Sequence, residues 1–206
     1  MTPSFSADDL RRRFSRVVPT GELPDIGDHV LNPELGVLLD GADVREAAVL
    51  VPVVDRGEGA SVILTTRSAH LRKHSGQIAF PGGSVDPTDA SPEAAAVRES
   101  FEEIGLEPRF IETLGTLPRY STRTGFRITP VVAIVQSGFV IVPNPGEVAD
   151  VFEVPLSFLM NPANHQKESR FWQGRERFFY VMPFGERYIW GITAGIIRAL
   201  YERFYA

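Results

Sequence analysis

The sequence predicts an α/β fold in which a mixed β-sheet lies between helices. Three observations carry that reading: short β-rich runs recur along most of the chain, one well-capped helix interrupts them near the middle, and a helical pattern closes the chain.

Taken in order, residues 7–17 read as a short helix packing Leu10, Phe14 and Val17. Residues 21–41 are rich in Pro, Gly and Asp without clear periodicity, which makes them an extended lead-in. The expected organisation is therefore an N-terminal helix and lead-in over 1–45 and one domain over 46–206. Residues 47–54 and 61–66 are strand-like and flank the turn-forming Asp55-Arg56-Gly57-Glu58-Gly59, so a hairpin is the simplest geometry. Residues 77–80 read as a short strand stopped by Pro81-Gly82-Gly83, with a polar turn region over 84–90. Ser91, Pro92 and Glu93 supply a cap, a first-turn proline and an early acid, and Gly105 sits where a helix would end, giving a helix over 92–104. Further strands are expected at 111–117, 127–135, 151–154, 170–172, 177–181 and 188–190, followed by a C-terminal helix over 191–204. Phe126, Trp172 and Trp190 are read as core fillers rather than base-stacking residues, because large aromatics usually fill cores.

Composition excludes several classes. With 206 residues, 43% apolar and 23% charged, the chain can bury one substantial core. No run approaches the roughly 18 apolar residues of a membrane-spanning helix, so no membrane partner is expected. Asp8 and Asp9 precede Arg11–Arg13 with no apolar stretch behind them, which fits neither a secretory signal nor a transit peptide. The absence of cysteine removes disulfides, thiolate zinc sites and a cysteine nucleophile, and is compatible with a reducing cytoplasm. A formal net charge of -5 argues against general nucleic-acid binding. A small polyanion could still bind a local basic cluster.

The central helix carries the chemistry. At about 100° per residue, Ala94, Val97, Phe101 and Ile104 fall on one face, while Glu99, Glu102 and Glu103 point the opposite way. Such spacing crowds like charges to about 5–6 Å, which a hard divalent cation with oxygen ligands, Mg²⁺ or Mn²⁺, would offset. On the helix alone, a solvated acidic face with an ordinary Arg98–Glu102 pair stays open.

The neighbouring residues resemble a known family. Gly83 followed by residues 98–106 (RESFEEIGL) is similar to the Nudix box, G-x5-E-x7-R-E-U-x-E-E-x-G-U, with Ser100 the one weak position in the second half. The first half departs: five residues after Gly83 comes Asp89 instead of Glu, and eight residues rather than seven separate it from Arg98. Residues 64–83 (LTTRSAHLRKHSGQIAFPGG) resemble the stretch preceding the box in Nudix coenzyme A pyrophosphatases, and residues 188–194 (YIWGITA) resemble that subgroup's C-terminal segment. The resemblance implies a Nudix α/β/α sandwich, dependence on Mg²⁺ or Mn²⁺, and hydrolysis of coenzyme A or acyl-CoA to 3′,5′-ADP and 4′-phosphopantetheine or its acyl form. It places metal ligands at Glu99, Glu102, Glu103 and the Gly82 carbonyl, with Arg98 orienting the carboxylates.

Pyrophosphate hydrolysis needs neutralised phosphates, a positioned water and no side-chain nucleophile. The general base is expected to be a carboxylate of the acidic helix or Glu147 in the loop after Asn144, whose bland alternative is a solvated loop acid. Arg67, Arg72, Lys73 and His74 would supply cationic or donor groups to the substrate phosphates. Their bland alternatives are surface solubility and, for His74, a structural hydrogen bond. Gln77 either contacts substrate or fixes the loop backbone. Two other readings remain: a Nudix hydrolase for another dinucleotide such as ADP-ribose or NADH, and a non-catalytic nucleotide-binding module. A homodimer is a further expectation, since Ile196, Ile197, Leu200 and Phe204 of the last helix suit either a core or an interface.

Overall fold

The structure is a computed structural model that describes residues 5–17, 24–34, 44–57, 59–71, 75–172 and 174–206. Its centre is β2 (Arg45–Asp55), whose apolar run is buried on both faces. Alternation sends Ala47, Val51 and Val53 into one apolar cluster and Ala48, Leu50 and Val54 into another on the far side of the sheet. A strand covered on both faces reads as a continuous apolar run, which is how residues 47–54 look in the sequence.

β2 pairs in parallel with β8 (Phe126–Val135) along its length, from Arg45 opposite Phe126 to Val54 opposite Val135. It turns antiparallel into β3 (Ala60–Arg67), which forms the expected hairpin and then pairs with β9 (Val148–Pro155) and the short β4 (Ile78–Ala79). β1 (Ile26–Gly27), β6 (Ile111–Thr116) and β7 (Tyr120–Ser121) complete this side of a mixed sheet. One correction concerns Pro81-Gly82-Gly83: instead of only stopping a strand, Gly82–Ser84 forms β5 against Ala47–Val49 of β2.

One face of the sheet is covered by α3 (Pro92–Ile104). The other is covered by α1 (Ala7–Arg16), α5 (Gly191–Phe204) and a second, three-stranded sheet of β10 (Gln166–Trp172), β11 (Arg175–Phe184) and β12 (Arg187–Trp190). The short α2 (Asp28–Leu31) and α4 (Leu156–Leu159) sit in the connections. α1 is bound into this body: Leu10 is fully buried and Phe14 stacks on Phe204 at 4.1 Å between ring centroids. Ile196, Ile197 and Leu200 of α5 lie in the core.

The caps of α3 are the ones its sequence announces. Ser91 accepts from the Ala94 amide at 3.3 Å, and Gly105 adopts the left-handed conformation (φ 70°) and donates to the Phe101 carbonyl at 2.9 Å. Its rotation about its own axis is different from the amphipathic reading. Ala95, Ala96, Ser100, Glu103 and Ile104 face inward, whereas Phe101 is 50% exposed. The cause is packing against β2, β5 and β8: small residues let the helix lie close, and the hydroxyl of Ser100, the weak box position, is satisfied by the Ala96 carbonyl at 2.7 Å. Trp172 is a second correction, since it is 60% exposed and fills no core.

Candidate functional site

The site forms where the main sheet splits. β5 replaces β3 as the partner of β2 over Ala47–Val49, leaving a gap between Gly82–Gly83 and the end of β3 at Arg67. The inward face of α3 lies across it. A Cβ at Gly83 would sit 2.5 Å from the Glu99 carboxyl carbon, so a side chain there would push that carboxylate out of place. Gly82 adopts φ +154°, and a Cβ would collide with the backbone of Ala48 and Val49.

The ladder bonds to β2 flank Gly82, from the Leu50 amide to the Pro81 carbonyl at 2.9 Å and from Val85 to Glu46 at 3.0 Å. Gly82 opposite Val49 is therefore a non-hydrogen-bonded position, whose amide and carbonyl turn away from β2. Its amide donates to Glu103 Oε2 at 3.1 Å. In strand geometry the carbonyl of such a residue lies on the same side as its amide.

Glu103 is the most buried acid of the site. Arg67 Nη1 stands 3.7 Å from its Oε1, and the Arg67 Nε is buried without a hydrogen-bond partner. Burial pushes the Glu103 carboxyl up to about 7; Gly82 and Arg67 oppose that rise, while Glu147 and Glu99 add to it. Burial also raises Glu99, against the hydrogen bond from Arg98. Carboxylates held with too little positive charge nearby are chemically suited to an oxygen-liganded divalent cation. Glu99, Glu103 and the Gly82 carbonyl fit that role on these grounds. Glu102 is turned outward onto Arg98 Nη1 at 3.0 Å, so that among the described residues no three acids, histidines or cysteines already stand in the arrangement of a metal cage.

Arg98 organises the helix's outer edge. It binds Asp89 through two hydrogen bonds, Glu99 and Glu102 at 3.0 Å each, and the Ser84 carbonyl at 3.2 Å. Asp89, which the sequence left without a role, is thereby placed. The turn that carries it is closed by Asp89 N to Asp86 O at 2.9 Å and Asp86 N to Asp89 Oδ2 at 2.8 Å. Arg98 holds its carboxyl below the usual range.

Glu147 comes to the same place by a backbone route. The Asn144 amide donates to the Glu103 carbonyl at 2.8 Å, and the Asn144 side-chain amide donates to Glu147 Oε1 at 3.1 Å. Asn144 was missed in the sequence; its position three residues before Glu147 in a Pro-Gly turn was the available signal. Gln77 holds the loop through its backbone, accepting from the Arg67 amide at 2.9 Å. Arg72, Lys73 and His74 lie outside the described residues.

The NUDIX domain model matches residues 44–174. An uncharacterized Nudix hydrolase of Citrobacter koseri, NudL, is 44% identical over 96% of this chain and 94% of its own. Its counterpart in Escherichia coli (strain K12 / DH10B) is 42% identical over the same shares. A solved Deinococcus radiodurans structure, DR0079, superposes with a TM-score of 0.51 at 15% identity over 81% of this chain and 88% of that one, which speaks to the fold alone. Nudix hydrolases generally use divalent metals such as Mg²⁺ or Mn²⁺. With over half its length matched by the domain model and a near full-length relative at 44% identity, the chain belongs to the Nudix hydrolase family.

Proposed function

We propose that the protein hydrolyses the pyrophosphate bond of coenzyme A or acyl-CoA, releasing 3′,5′-ADP and 4′-phosphopantetheine or its acyl form. The observation that carries the reading is the meeting of Glu99, Glu103 and Glu147 with Arg67 around the Gly82–Gly83 backbone, joined in sequence to residues 64–83. Glu99, Glu103 and the Gly82 carbonyl would hold Mg²⁺ or Mn²⁺, with Glu102 released from Arg98 to join them. Bound there, the cation would supply charge neutralisation on the phosphates and lower the cost of forming a nucleophile from water.

The chain's own residues do the rest. Glu147, oriented by Asn144, takes a proton from the attacking water. The water oxygen bonds to one phosphorus, the bridging P–O bond breaks, and the displaced phosphate leaves with the electron pair. Arg67 offers its guanidinium to the phosphates, and Arg98 fixes Glu99 between the helix and Gly83.

The test is incubation with coenzyme A and Mg²⁺ or Mn²⁺, products separated by chromatography, beside a Glu103→Gln protein. 3′,5′-ADP and 4′-phosphopantetheine appear with the wild type and are lost in the variant. Intact coenzyme A alongside rapid cleavage of ADP-ribose or NADH would move the substrate to another dinucleotide. The non-catalytic alternative drew on the displaced Asp89, and that motive weakens because Asp89 reaches Arg98 despite the displacement.

A further inference from the structure

The outer face of the three-stranded sheet carries chemistry that the acidic site does not use. Strand alternation brings Arg170, Trp172, Arg175, Arg177, Phe179 and Trp190 to one face, while Met182 and Ile189 go into the core from the other. The register sets Arg170 directly opposite Arg177 and Trp172 opposite Arg175. Like charges directly opposite each other weaken a sheet, so this pairing lacks a folding rationale. Two nitrogens of Arg177, Nε and Nη1, are buried without a hydrogen-bond partner. Glu168 shares the face but accepts from the Tyr188 hydroxyl at 2.6 Å.

The aromatic groups are arranged with the arginines. Arg170 lies 5.7 Å from the Phe179 ring centroid and 5.2 Å from that of Trp190, and those two rings meet at 65° with centroids 5.4 Å apart. Arg123, from the turn between β7 and β8, stands 5.4 Å over the exposed Trp172 ring. In a chain of net charge -5, this is a basic and aromatic surface.

The sheet also abuts the loops that build the acidic site. Arg187 of β12 binds Asp150, three residues after Glu147, at 2.8 Å. Beyond the other end of β12, Thr193 in the first turn of α5 donates to the Ile78 carbonyl at 2.9 Å, four residues before Gly82. The three-stranded sheet is thus tied to both loops that build the acidic site.

We propose that this face is the subsite for the nucleotide half of the substrate, with the base stacked on Trp190, Phe179 or Trp172 and a phosphate monoester paired with Arg170 and Arg177. Aromatic rings accept the π-face of a base, and the guanidinium fork matches phosphate oxygens. The proposal rests on the reading above that the substrate is a pyrophosphate whose nucleotide half bears an additional phosphate.

The chain has two tryptophans, Trp172 and Trp190, and both are on this face, so intrinsic tryptophan emission reports on it directly. Metal-free protein is titrated with 3′,5′-ADP and with 5′-AMP. A saturable change in emission is expected, with roughly tenfold weaker binding of 5′-AMP, which lacks the 3′-phosphate. Arg170→Ala, at an exposed position, is expected to weaken 3′,5′-ADP about tenfold and to raise KM for coenzyme A with kcat unchanged. Should coenzyme A be cleaved while 3′,5′-ADP leaves emission unchanged and Arg170→Ala keeps the wild-type KM, the subsite is overturned and the hydrolase reading stands. Should coenzyme A survive while 3′,5′-ADP binds in an Arg170-dependent way, the subsite stands and the substrate reading falls.

Discussion

Arg98 grips Asp89 with a parallel pair of hydrogen bonds, Nε to Oδ1 at 3.0 Å and Nη2 to Oδ2 at 2.9 Å, and uses its remaining Nη1 for Glu99 and Glu102. The pair is a fork-to-fork contact, which fixes orientation as well as charge. One guanidinium therefore sets where two acids of the helix can point.

Asp89→Asn should leave Arg98 free to swing toward Glu99 and Glu102, lowering kcat by about 10- to 100-fold with a smaller change in KM. Asp89→Glu should recover part of the loss, because the charge returns. Steady-state kinetics with saturating Mn²⁺ measure both. Equal kcat for Asp89→Asn and wild type would remove Asp89 from the positioning network.

For metal-free protein, Glu103 makes stability depend on pH. Its carboxyl moves from 4.5 to about 7 on folding, so the folded state holds the proton more tightly than the unfolded one. The sign follows: the Glu103 contribution to stability is full below pH 4.5, falls as pH rises through the window to about 7, and levels off above it, a loss of up to about 3 kcal/mol. Glu103→Gln should therefore raise Tm at pH 8 and leave it little changed at pH 4, as read by thermal denaturation in EDTA. The more stable variant is expected to be the inactive one.

Adding Mn²⁺ should reverse that ranking. A cation at about 1,000 times its Kd stabilises the wild type by about 4.1 kcal/mol, more than the advantage of the variant, while Glu99→Gln and Glu103→Gln gain much less. Tm measured against Mn²⁺ concentration reads the difference.

Gly83→Ala tests the contact between the glycine strand and the helix. Its methyl would displace the Glu99 carboxyl, costing activity at least about tenfold with a modest change in Tm, since β5 is at the margin of the sheet. Phe101→Ser is the control on the opposite side of α3. That side chain is half exposed, so the substitution should change neither kcat nor KM.

The sequence and the structure agree most closely where local chemistry decides the conformation. The limits of α3 follow from Ser91, Pro92 and Gly105, and the β2–β3 hairpin follows from its Gly-rich turn. Agreement stops where distant packing decides. The pattern of Ala94, Val97, Phe101 and Ile104 suggested a buried stripe; Ile104 is buried, but Ala95, Ala96 and Ser100, smaller than Val97 and Phe101, face inward and let the helix approach β2 and β5 more closely. Gly82–Ser84 looked like a turn because its strand character comes from β2 rather than from its own residues. Within the site, Glu99 and Glu103 stood out by spacing, whereas Asp89 escaped because an extra residue in a hydrogen-bonded turn changes the count without changing the reach. Asn144 escaped because its role is a backbone contact with Glu103.

The parallel register of β2 with β8 has a temporal consequence. Arg45 cannot meet Phe126 until the ribosome has added the whole stretch between them, and such distant pairing is slow to form. The α3 helix can form early from its own caps. The strand that presents Gly82 and Gly83 leans on β2, which is secured only when β8 arrives. A nascent chain that has just completed its acidic helix therefore owns every acid of the box and still lacks the frame against which those acids are aimed; the capacity for turnover belongs to the end of folding.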